Sequence, residues 1–131
     1  MLKIGENMKF LESLKNCVAY KIVSPNSAQI VTQAKMPNGK YIALMLEKNG
    51  DNWVLSDKKQ TLKFMNTIYE LKAKDVISCI ENVLKIYKLK LQSGEIVTSF
   101  SDEKQLVENV YKFIMCIAQL VNMYAFFDAP N

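Results

Sequence analysis

A carboxylate at the end of a β-rich run is the first feature of this chain that could do chemistry. Asp57 follows "NWVLS" (Asn52–Ser56) and precedes a helical pattern. Glu47 and Asp51 stand close by in sequence, and with Asp57 they would make an oxygen-donor set for a divalent cation. The same residue has a competing structural reading. Asp57-Lys58-Lys59-Gln60 has the spacing of a capping box, with Asp57 as the side-chain acceptor at the helix start and Gln60 reaching back. The cap is the better expectation, because the usual partners of a catalytic carboxylate are missing.

The chain contains no histidine, and all 17 basic residues are lysines. Ser-His and Cys-His nucleophile pairs, histidine acid–base catalysis and histidine metal ligation are thereby excluded. So are arginine fingers and bidentate arginine readout of guanine or phosphate. Ser56, Ser99 and Ser101 have no base to activate them. Cys17, Cys79 and Cys116 lie too far apart for a metal or redox motif, and each sits among apolar neighbours, so they read as reduced and buried. Of the four glycines, Gly39, Gly50 and Gly94 are used in turns and Gly5 stands alone, so no phosphate loop can be assembled. No cofactor or metal is expected, and the chain is expected not to be an enzyme.

Charge gives a second candidate surface. The net charge is +4, and the stretch from Asp57 to Lys90 carries all of it, eight lysines against four acids. Lys58, Lys59, Lys63, Lys85 and Lys88 would form a basic face. A solvated surface is the first reading, and contact with a nucleic-acid backbone is the second.

These residues need elements to position them. The 131 residues, half of them hydrophobic, suit one domain spanning residues 1–131. Glu6–Asn16 has Met8, Leu11 and Leu14 near helical spacing. "VAYKIV", "AQIVTQAKM", "KYIALMLEK" and "NWVLS" then follow as strands, separated by turn residues, and make an antiparallel meander. The third strand is apolar on both faces and should be central and covered on each side. A helix carrying Leu62 and Met65 and a second helix from Ala73 to Tyr87 come next. "KLKLQSGEIVTSF" reads as a hairpin around Ser93-Gly94, and a long final helix is capped by Ser101 or Asp102. The expected fold class is α+β: an antiparallel sheet of five or six strands with about four helices.

The final helix is unusually apolar. Glu108, Lys112, Gln119 and Asn122 form one narrow polar stripe. Such a helix is either deep in a core or shared with a partner, in which case Met115, Met123, Phe126 and Phe127 would be the anchors. Its uncharged run, Phe113–Phe127, is shorter than a membrane span, and the start of the chain has no signal-peptide pattern, so a cytoplasmic protein off the membrane is expected.

The order of features resembles the bacterial and phage domain-of-unknown-function family 1828. That family pattern has a polar-Gly-Asp turn before an apolar strand, which corresponds here to Asn38-Gly39-Lys40, with Lys40 in place of the Asp. It has a strand ending in Leu-Thr-Asp-Asp-Gly-x-Thr, matched by Leu55 to Thr61. It has a hairpin matched by Ile86-Tyr87 through Glu95-Ile96. Lys58 and Lys59 depart from it, standing where the pattern has its second Asp and its Gly. The resemblance spans about residues 20–125 and implies no established activity. Families of this kind are carried by mobile elements and phages of low-GC bacteria.

The resulting expectation is a non-enzymatic protein-binding module of a bacterial mobile element or phage, self-associating as a homodimer through its last helix. One alternative is a phage-encoded inhibitor that occupies the surface of a host defence nuclease, of the anti-CRISPR or anti-restriction type. Another is a nucleic-acid-binding accessory protein using the lysine face. An enzyme using Glu47, Asp51 and Asp57 with a metal ranks last.

Overall fold

The computed structural model describes residues 19–67 and 74–123. Six strands form one sheet, entirely antiparallel: β1 Ala19–Ser24, β2 Ser27–Lys35, β3 Tyr41–Asn49, β4 Asn52–Ser56, β5 Lys90–Gln92 and β6 Glu95–Phe100. Their order across the sheet is β1-β2-β3-β4-β6-β5. The first four strands are the expected meander. The chain then leaves the sheet through two helices and returns with the β5–β6 hairpin, which places β6 beside β4 and β5 at the edge.

Three α-helices are present among the described residues, rather than about four: α1 Gln60–Met65, α2 Lys74–Ile86 and α3 Leu106–Val121. The expected helix at Glu6–Asn16 lies outside the described residues. A 3₁₀ turn, Glu103–Gln105, leads into α3. Asp102 caps it by accepting from Lys104 N at 2.9 Å, and Gln105 completes the capping box. None of the described helices is long and apolar enough to cross a membrane.

Strand alternation divides the sheet into two faces. Ala28, Ile30, Ile42, Leu44, Leu46, Trp53, Leu55, Ile96 and Phe100 point to the helical layer and are buried. There they join Met65 of α1, Ile80 and Leu84 of α2, and the α3 stripe Leu106, Val110, Phe113, Ile117 and Leu120. Phe113 is fully buried in this cluster, and truncating such a side chain to alanine costs about 3–5 kcal/mol. The expectation that β3 is covered on both faces is corrected. Ala43 and Met45 are only half-buried and Tyr41 is exposed. An apolar run cannot distinguish a half-buried outer face from one covered by a helix.

The end of α2 shows how local sequence fixes a turn. Lys88 N donates to Lys85 O at 3.1 Å, and Leu89 N donates to Leu84 O at 2.9 Å. This is a Schellman ending, with Lys88 at the left-handed position (φ 58°) and with buried Leu84 and Leu89 at the two positions that make its hydrophobic contact. The motif reverses the chain and delivers it directly into β5.

Candidate functional site

Asp57 is buried, with 1 % of its surface exposed. Its Oδ1 accepts from Ile96 N at 2.9 Å and from Lys59 N at 3.1 Å, and its Oδ2 accepts from Thr61 N at 3.1 Å. Its own N–H donates to Ile96 O at 3.1 Å. The carboxylate therefore ties the β4–α1 turn to β6. It serves backbone donors at the entry to α1 and also one across the sheet, which a simple cap does not do.

The capping box expected at Asp57 and Gln60 is not formed. The N-cap of α1 is Lys59, with no side-chain cap hydrogen bond. The displacement comes from the backbone, because Lys58 and Lys59 both take left-handed conformations, φ 49° and 68°. They close a turn in which Gln60 N donates to Asp57 O at 3.1 Å. Gln60 is redirected towards β3. Its Oε1 accepts from Ala43 N at 3.1 Å, and its Nε2 donates to Tyr41 O at 3.0 Å. Pairing of β3 with β4 ends at Met45–Ser56, so the Gln60 amide continues the ladder as a stand-in peptide group.

A polar cluster accompanies the turn. Ser56 Oγ donates to Glu95 Oε1 at 2.8 Å and accepts from Lys58 N at 2.9 Å. The Lys58 ammonium sits 2.8 Å from Glu47 Oε1 and 3.7 Å from Glu95 Oε1. The hydrogen bond to Glu47 raises the Lys58 pKa, and this outweighs the opposing effect of partial burial. Lys58 is thus a cation at neutral pH and cannot serve as a base for Ser56. The proposed metal trio is not assembled: Asp57 is occupied by backbone donors, Glu47 is ion-paired, and Asp51 lies exposed in the β3–β4 turn. Among the described residues no group of three His, Cys, Asp or Glu side chains could hold a metal ion.

Cys116 of α3 is fully buried. Desolvation, reinforced by the nearby Asp57 charge, pushes its thiol up to about 12. It is therefore an inert thiol rather than a nucleophile. Cys79 is partly buried, and Cys17 lies outside the described residues.

The candidate lysines border adjoining depressions, which meet at one lined by Lys48, Lys58 and Gln92. Lys58 and Lys63 border one groove together with Lys40. Lys85 and Lys88 line two further depressions, with Lys90 common to both. Lys59 runs its aliphatic stem beside the Gly94 turn. Lys88 is fixed by its left-handed backbone position at the end of α2.

On α3 the expected polar stripe faces outward, with Glu108, Gln119 and Asn122 exposed. Met115 is 55 % exposed, and Tyr111, one turn earlier, is 46 % exposed. Met123 is corrected from surface anchor to core. It is buried just past the end of α3, where its N–H turns back to Leu120 O at 3.2 Å. Phe126 and Phe127 lie outside the described residues. Tyr111 was not among the expected anchors, although its i, i+4 spacing to Met115 was readable in the sequence.

Residues 32–120 match the family model described as Domain of unknown function DUF1828. The chain belongs to that family. No curated protein and no solved structure matches it. The DUF1828 match takes in Asp57, the Lys58 cluster, the β5–β6 hairpin and nearly all of α3, and it leaves out β1 and the first part of β2. The match also spans Lys58 and Lys59, the consecutive residues held in left-handed conformations ahead of α1. Glycine adopts that region more readily than lysine does.

Proposed function

We propose that this chain is a non-enzymatic protein-binding module that self-associates through the outer face of α3. The observation that carries this reading is the exposed pair Tyr111 and Met115 on an otherwise core-building helix. An aromatic ring and a thioether one turn apart are the kind of adaptable apolar anchors that contact surfaces use. The turn at Asp57 supports the non-enzymatic part, since its carboxylate oxygens already serve three backbone donors. We infer a cytoplasmic protein, a reading supported by Cys79 and Cys116 being free thiols.

Multi-angle light scattering across a concentration series tests the reading. The expected result is a mass rising above the 15.0 kDa of one chain. A single-chain mass at every concentration would remove self-association from the account.

A further inference from the structure

The edge of the sheet at β5 has a second binding geometry, and it lies apart from the α3 face. Ser93 (φ 50°) and Gly94 (φ 83°) form a two-residue hairpin turn between Gln92 and Glu95. In such a hairpin the residues flanking the turn exchange hydrogen bonds, and ladder pairs then alternate. Leu91–Ile96 is consequently the non-hydrogen-bonded pair. The N–H and C=O of Leu91 point away from β6, and no described strand pairs with that side of β5.

This free edge borders a groove of ≈ 490 Å³ between β5 and α2. The 39 % exposed Leu91 supplies its accessible apolar surface, over a floor of the buried Leu84 and Leu89. Lys85 and Lys90 outnumber the one acidic group, Glu81, among its lining residues. A strand edge alongside an apolar groove under a helix is the arrangement by which domains bind an extended peptide as an added strand.

We propose that this groove binds an extended acidic segment of a partner protein, which adds a strand to β5. Main-chain hydrogen bonds form at Leu91, an apolar residue of the segment packs on Leu91 on the helix-side face, and its carboxylates meet Lys90 on the opposite face, with Lys85 at the α2 rim of the groove. The inference deepens the protein-binding reading and names a second surface for it.

The test uses a fluorescein-labelled octapeptide alternating valine with aspartate or glutamate, and a control with lysine at the acidic positions. Anisotropy is expected to rise with the acidic peptide and not with the control. Lys85→Glu/Lys90→Glu should weaken binding at least tenfold. Leu91→Pro removes the outward donor without touching the β6 ladder and should abolish binding. Amide exchange at Leu91 in the wild type should slow at least tenfold on saturation. Circular dichroism melts identify any variant that fails to fold, and the lysine pair then decides. No binding by the acidic peptide, or binding indifferent to the lysine pair with Leu91 exchange unchanged, overturns the proposal. Light scattering on the same samples separates the two readings: self-association that persists while the peptide fails removes only the groove.

Discussion

Asp57 and Ile96 are joined by two hydrogen bonds, one in each direction. Asp57 N donates to Ile96 O at 3.1 Å, and Ile96 N donates to Asp57 Oδ1 at 2.9 Å. A side-chain oxygen thus replaces a carbonyl at the point where β4 turns away from β6. The carboxylate then holds the turn by its remaining contacts to Lys59 N and Thr61 N.

Replacing this carboxylate should therefore cost stability. Asp57→Asn puts an amide N–H₂ against at least one backbone donor, and Asp57→Ala leaves three without a partner. Each buried donor left unpaired costs about 1–3 kcal/mol. Urea unfolding should show a loss of about 1–3 kcal/mol for Asp57→Asn and at least about 3 kcal/mol for Asp57→Ala, with an unchanged slope. Wild-type stability in Asp57→Asn would mean that the residue is not a structural tie.

Lys59→Gly should stabilise the protein. A left-handed conformation costs an L-residue about 1 kcal/mol, and glycine adopts it freely. Among the described residues Lys59 has no ion pair that would be lost. Lys58→Gly relieves similar strain but removes the bridge to Glu47 and Glu95, so its net effect should be near zero. Thermal melts of the two variants, compared side by side, check this difference.

Much of the frame was legible from residue types. The meander follows from β-formers separated by Pro, Asn and Gly, and the final helix from its apolar stripe and Asp102. Asp57 was legible as a residue serving the backbone, but its partner Ile96 was not, because that contact joins positions far apart in the chain. Gln60 shows the limit clearly. Its spacing to Asp57 matched a capping box, yet two left-handed lysines between them changed its direction, and it pairs with Tyr41 and Ala43 instead. Capping patterns assume that the intervening backbone is already helical, and here it is not. Met123 failed for a related reason. Helical spacing was extended past Val121, where the chain turns inward.

Alkaline pH should destabilise the fold through Cys116. Its folded pKa of about 12 exceeds the ordinary thiol value of 9.0, so the folded state keeps a proton that the unfolded chain releases. The contribution is complete below pH 9 and is lost as pH rises from 9 towards 12. The limiting slope is about 1.4 kcal/mol per pH unit. Lys58, also raised, loses its contribution only above its ordinary 10.5. Between pH 8 and 10 the wild type should therefore lose more stability than Cys116→Val, as measured by urea midpoints.

The exposed face of α3, with Tyr111 and Met115, is the proposed contact surface between copies. Sedimentation equilibrium of the wild type and Met115→Glu, from micromolar to millimolar concentration, tests it most directly. The account predicts a reversible monomer–dimer equilibrium for the wild type and at least a tenfold weaker one for Met115→Glu, with both chains equally folded. A wild type that stays at 15.0 kDa throughout, or a dimer that Met115→Glu leaves intact, would contradict it.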